Sequence, residues 1–316
     1  MSLTNHNPLR SACRVTALLV ASLSILVLVS SCRIAYAVAE EQKSFSSPER
    51  AVQALVVAVR TGDQGALLAI LGPEAKELVS SGDPVADKSA REMFVKEYET
   101  KHVLVPSGKD VMILRIGADP WSLPIPIVST DGAWHFDTAA GKQEMLYRRI
   151  GRNELGAIAV CKTYVQLQRE YSETGHDGQP AGIYAQRLMS DPGKQNGLYW
   201  ETKPGDPPSP AGPFFAQASA EGYSMRHSPY HGYYYRILTA QGPAAARGAK
   251  QYVVGGDPEA EFALLAYPAE YGSSGVMTFF VNRKGVVYQK NLGEKTADIA
   301  AQISTQGLDK TWTRVH

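Results

Sequence analysis

Tyr230-His-Gly-Tyr-Tyr-Tyr-Arg-Ile-Leu-Thr-Ala-Gln241 decides the reading of this chain. Aromatic and β-branched residues favour a pleated, half-buried surface, so the stretch predicts a long strand opened by Gly232. Alternation puts Tyr233, Tyr235 and Ile237 on one face and Tyr234, Arg236 and Leu238 on the other. Two later runs supply partners: Glu261–Tyr267, and a hairpin in which Val276–Asn282 turns at Arg283–Gly285 into Val286–Lys290. Nine of the sixteen tyrosines fall between Tyr223 and Tyr288, which places the core of a C-terminal sheet there.

Working back from that sheet, a long helical pattern covers Glu154–Ser172, with Ala157, Val160, Cys161, Tyr164 and Tyr171 along one face. Asn153 is placed to cap it, and a connecting helix, Ala139–Ile150, precedes it and closes at Gly151. Between helix and sheet lies Glu173–Pro208, rich in Gly, Asp and Pro. Short helices are expected at Ile183–Met189 and from Ser209-Pro210 through Phe214 and Phe215 to Gly222. A last helix, Ala297–Ser304, and Trp312 close the chain.

Towards the N-terminus, Ser47-Pro48-Glu49 opens a helix carrying Val52, Leu55, Val56 and Val59, ended by Gly62. Asp63 caps a second, with Leu67, Ile70 and Leu71, stopped at Gly72-Pro73. A third covers Asp87–Glu99. Strands follow at Val111–Ile116, Ile125–Ser129 and Ala133–Asp137, the last two joined at Asp131-Gly132, a strong short-range hairpin signal. Pro126 argues that the middle strand lies at a sheet edge. The fold class is α+β. Helices followed by an antiparallel sheet, with Ser-Pro-Glu-Arg-Ala-Val at 47–52 and Gly-Ala-Trp-His-Phe-Asp at 132–137, resemble the NTF2-like (cystatin-like) superfamily over residues 45–140. The long helix and the Tyr-rich meander resemble the globular head of type IV pilins and pseudopilins. The chain lacks the apolar half of a pilin helix and a prepilin cleavage site, which argues against polymerisation. Domains are therefore expected at 46–140 and 141–316.

The first residues look like an export signal. Arg10 and Arg14 precede the apolar run Ala17–Val29, which is short for a membrane span. Val29-Ser-Ser-Cys32 resembles a bacterial lipobox that would lipidate Cys32, with a tether over 32–45. Ala37-Val-Ala39 offers ordinary signal peptidase a second site. An uncleaved anchor is the third alternative. Without residues 1–31 the body has 30 basic against 31 acidic residues, so no excess charge points to nucleic acid or an anionic membrane. With Cys13 in the leader and Cys32 lipidated, Cys161 stands alone on an apolar helix face and is read as inert packing.

Catalytic and metal signatures are weak. His227 and His231 flank Pro229 in a loop, which is not a helical zinc pair. Glu173–Gln179 has too few carboxylates for calcium. Tyr271-Gly-Ser-Ser-Gly275 is not a nucleophile elbow. No phosphate-binding or dinucleotide fingerprint occurs, so no cofactor is expected. Arg149, Arg152 and Glu154 read as an ion-pair group pinning a helix turn. His135 and Asp137 are the acid/base candidates if the first domain holds a small-molecule enzyme site. His231, Tyr234, Arg236 and Glu270 are the binding candidates, at one sheet edge. The partner expected is an envelope protein or a small molecule, with membrane contact only through the N-terminal lipid. Three functions follow: a non-catalytic binding module, an enzyme of the first cavity, or a subunit of a secretion or pilus-like assembly.

Arg149-Ile-Gly-Arg-Asn-Glu-Leu155, Gly197-Leu-Tyr-Trp200, Tyr230–Leu238 and Pro268-Ala-Glu-Tyr-Gly-Ser-Ser-Gly-Val-Met-Thr-Phe279 together resemble the DUF2950 family, from about Ser46 to Trp312. The resemblance implies an exported bacterial protein without an established activity.

Overall fold

The structure, a computed structural model, describes residues 42–224, 228–239, 262–303 and 309–315. The export leader with Cys13 and Cys32, the Ala39 cleavage site and His227 lie outside the described residues.

The caps read from sequence form the first helices. Ser47 accepts from the Arg50 amide at 3.3 Å to start α1 (Pro48–Thr61), and Gly62, at φ 68°, ends it. Asp63 accepts from the Ala66 amide at 2.9 Å to start α2 (Gln64–Leu71). A 3₁₀ turn at Pro73–Ala75 leads into the short α3 (Lys76–Val79). The next helix, α4, spans Pro84–Thr100 and begins three residues earlier than expected, because Asp83 caps it and Pro84 takes the first-turn position.

β1 (His102–Pro106), β2 (Val111–Ile116), β3 (Trp121–Ser122), β4 (Ile127–Thr130) and β5 (Ala133–Phe136) make an antiparallel sheet in the order β1-β2-β4-β5, with β3 beside β2. β4 is interior, not at an edge: Pro126 stops one residue short of the strand, so no ladder donor is lost there. Asp131 and Gly132 turn the β4–β5 hairpin with φ 52° and 81°. Val52, Leu55 and Val56 of α1 and Ile70 of α2 pack with Leu114, Ile127 and Phe136 of this sheet into the first core.

One helix, not two, follows. α5 runs unbroken over Thr138–Ser172, about 50 Å at 1.5 Å per residue. Gly151 lies within it, and Asn153 is an interior residue with other work. At its N-terminal end Gly141 sits directly on the Pro124–Ile125 backbone. The C-terminal half of α5 lies across the second sheet, formed by β6 (Tyr233–Thr239), β7 (Phe262–Pro268), β8 (Met277–Asn282), β9 (Val287–Asn291) and β10 (Thr313–Arg314), antiparallel in the order β10-β9-β8-β7-β6. Residues 183–189 form no helix; they run in open chain to a one-residue bridge between Met189 and Tyr199. α6 (Gly212–Ala220) and α7 (Thr296–Gln302) are present near their expected positions.

The predicted alternation of the tyrosine strand holds. Tyr233, Tyr235 and Ile237 join Ala157, Cys161 and Tyr164 in the core under α5. Leu238 instead joins Leu265, Phe280 and Ala300 in a smaller core under α7. Cys161 is fully buried, and burial pushes its thiol up to about 12, so it is unreactive packing.

A Cβ at position 141 would lie 2.5 Å from the Pro124 and Ile125 backbone, which cannot swing aside as a side chain can. Gly141→Ala is therefore expected to destabilise the protein by on the order of 3 kcal/mol in urea unfolding. Gly151→Ala, whose Cβ meets nothing within 4 Å, is expected to be neutral or slightly stabilising.

Candidate functional site

Between the two cores α5 carries a polar belt, Arg149, Asn153 and Glu154. Each of these residues reaches the backbone of a different segment. Arg149 donates to the Glu77 and Leu78 carbonyls at 2.5 and 2.6 Å, which closes the C-terminal end of α3. Asn153 donates to the Ser274 carbonyl at 2.9 Å. Glu154 Oε1 accepts from the Val276 and Met277 amides at 3.0 and 2.9 Å, where β8 begins. Arg149 and Glu154 form no ion pair with each other. The expected ion-pair group is corrected to a set of side-chain-to-backbone clamps, because the neighbouring loops bring unpaired backbone groups within reach.

The loop they hold, Glu270–Val276, is internally braced. Ser274 Oγ accepts from the Glu270 amide at 2.9 Å and donates to its carbonyl at 3.1 Å. Ser273 Oγ donates to the Glu77 carbonyl at 3.2 Å and lies 3.4 Å from the Arg149 guanidinium. Gly275 lies against the Tyr233 phenol, whose hydroxyl donates to the Met277 carbonyl at 2.9 Å; a Cβ there would sit 2.1 Å from that hydroxyl. The glycine is required by contact, with no catalytic strain.

Opposite this loop stands Asp83, fully buried. Its Oδ1 accepts from the Val85 and Ala86 amides at 3.2 and 3.0 Å as the cap of α4. Its Oδ2 accepts from the Gly232 amide at 2.8 Å and the Tyr223 hydroxyl at 3.2 Å. A buried carboxylate is tolerated when several donors replace its water, and here four do. Ser81, beside it, donates to Asp87 Oδ1 at 2.7 Å. Gly232 is the second residue of a two-residue turn, His231-Gly232, with φ 50° and 79°, joining Tyr230 to Tyr233. A side chain at 232 would also strike the Asn153 amide, 2.5 Å from the position of its Cβ.

The binding candidates separate. His231 Nε2 is 2.9 Å from Glu221 Oε2, and its ring stacks on Tyr223 at 5.5 Å. Glu270 is exposed beside Gly82, at the same end of the sheet. Tyr234 lies on the α7 face with its ring 5.6 Å from that of Tyr267, its cross-strand partner. Arg236, two residues on, donates to the Ala300 and Ile303 carbonyls, the latter at 2.6 Å, and so caps the end of α7. Among the acid/base candidates, Asp137 caps α5 by accepting from the Ala140 amide at 3.1 Å. His135 alternates to the face opposite Phe136, away from the first core.

Burial lowers the Arg149 pKa, a shift countered by the nearby charges of Asp87 and Glu270. The Tyr223 phenol is pushed up by burial and then by the Asp83 charge. Tyr233 rises through burial and the Glu154 charge. Both phenols thus stay protonated, as donors, across the ordinary pH range. Ser273 and Ser274 donate to carbonyls, not to a histidine or carboxylate, so neither hydroxyl has a base to activate it. Among the described residues no group of three or more His, Cys, Asp or Glu is arranged to hold a metal. Nor is any described helix long and apolar enough to cross a membrane. Sequence reading missed Asp83, although Gly82-Asp83-Pro84 repeats the cap-then-proline pattern of Ser47-Pro48.

Removing Asp83 tests what the junction contributes. Asp83→Ala leaves the Gly232 amide and the Tyr223 hydroxyl buried without a partner, and should cost about 3 kcal/mol or more in urea unfolding. Asp63→Ala removes a helix cap with no second role and should cost about 1 kcal/mol. Equal costs would show that Asp83 acts only as a cap.

No curated protein and no solved structure matches the chain. A family model described as "Protein of unknown function (DUF2950)" matches residues 42–315. That span takes in the α5 belt, the loop it clamps, the tyrosine strand and Asp83, and the chain belongs to the DUF2950 family.

Proposed function

We propose that this protein is an exported component of the bacterial envelope, tethered by a lipid on Cys32, that works as a non-catalytic binding or accessory module. In this reading residues 46–140 are an NTF2-like unit and residues 141–316 a unit like a pilin head. The observation that carries it is the use made of the buried and half-buried polar side chains between the cores. Arg149, Asn153, Glu154 and Asp83 hold backbone amides and carbonyls of other segments, and the two junction serines donate to carbonyls. Such groups fix shape; acid–base chemistry needs them in reach of a reacting atom. The helix, loop and hairpin they fix present Glu270, His231 and Tyr234 at one end of the second sheet. That end is the docking surface; Arg236, farther along β6, holds the end of α7.

Two experiments test this. A photo-crosslinking residue at Glu270, introduced in the living cell, should trap a discrete heteromeric product, whereas the same probe at exposed Asp131 should not. Absence of a product at 270, or equal products at both sites, would overturn the docking surface. Separately, Cys32→Ala should move the protein from the membrane to the soluble fraction; continued membrane association would contradict the lipid tether.

A further inference from the structure

α5 has a second face, turned away from both cores, on which side chains of opposite size alternate. Tyr147 and Leu155 are among the most exposed large apolar side chains described, 63% and 70% accessible. Between and beyond them, at helical i,i+4 spacing, stand Gly151 and the exposed Ala159. A Cβ at Gly151 would meet nothing within 4 Å, so the groove over it is open. Glu144 lies at one end of the stripe and Lys162 at the other, both exposed. Glu144 is paired with Arg148 at 2.6 Å, and Lys162 has no ion-pair partner among the described residues.

This pattern is complementary to itself when reversed. In an antiparallel pairing centred at the level of Asn153, Tyr147 of one copy faces Ala159 of the other. Leu155 faces Gly151, and Glu144 faces Lys162, each pair equidistant from the centre. Every large side chain meets a small one and each end pairs opposite charges, twice over by the two-fold symmetry. We propose that this face of α5 is the interface of a symmetric homodimer. The pairing uses none of the contacts of Glu270 or Tyr234, and His231 borders it beside Gly156, next to Leu155. Two arginines oppose it: the copies of Arg152 come to the same flank near the axis, where like charges repel, and exposed Arg148, the partner of Glu144, shares the face.

Sedimentation equilibrium of the full chain in mild detergent tests the pairing. The wild type should be a dimer, and Leu155→Lys should be a monomer. Glu144→Lys and Lys162→Glu should each weaken association about tenfold, since each creates two like-charge pairs per dimer, and the double exchange should restore it. Arg152→Ala should tighten the dimer. Circular dichroism of each variant separates lost pairing from lost folding, because all four substituted residues are exposed. A monomeric wild type, a Leu155→Lys protein still dimeric, or a double exchange no tighter than the singles would each overturn the proposal.

Discussion

A single buried carboxylate sets the constraint from which the rest of the architecture follows. Asp83 has no water to solvate it, and its four donors come from two amides of α4, the Gly232 amide and the Tyr223 hydroxyl. Burial of such a group is tolerable only while all these donors are in place. The carboxylate therefore ties the start of α4, in the first half of the chain, to the turn from which the tyrosine strand β6 departs. The turn itself admits only glycine at 232, since both its positive φ and the closeness of Asn153 exclude a side chain.

α5 completes the tie from the other side. Met145 packs against the first core, Ala157 and Cys161 lie in the second, and Arg149, Asn153 and Glu154 occupy the turns between. An apolar residue there would leave the α3 carbonyls and the amides at the start of β8 without partners, a larger loss than the burial it would gain. The polar belt is thus a consequence of running one helix past two sheets. The ends of α3 and the β7–β8 loop face it, and their backbone groups need acceptors and donors.

Much of the fold could be read from the sequence where the signal is local. Ser47, Asp63, Asp131-Gly132 and the alternation of Tyr233–Leu238 each act within a few residues, and each gives the expected element. Failures came where distant contacts decide. Gly151 and Asn153 look like a helix end and a new cap, yet α5 continues, because Asn153 finds its partner at Ser274, 121 residues away. Pro126 looks like an edge marker, but the strand starts after it. Ile183–Met189 has helical spacing but is drawn into an open-chain bridge to Tyr199. Of the candidate site, the sequence segments Arg149–Leu155, Tyr230–Leu238 and Pro268–Phe279 stood out, and these meet in space. Nothing in them indicates which partner each side chain takes. Arg236 illustrates the gap: an arginine among tyrosines suggests recognition, and its guanidinium instead ends α7.

Asp83 and the α5 belt make the two cores one cooperative structure, and the polar groups between the cores serve that end. Native-state hydrogen exchange measures this directly through the amides of Gly232, Val276 and Met277, which donate to Asp83 and Glu154. These three are expected to exchange only by global unfolding, with the same free energy as the interior amides of Leu114 in β2 and Phe279 in β8. Exchange of the three at a much lower free energy than both sheets, or two sheets opening with clearly different free energies, would contradict it.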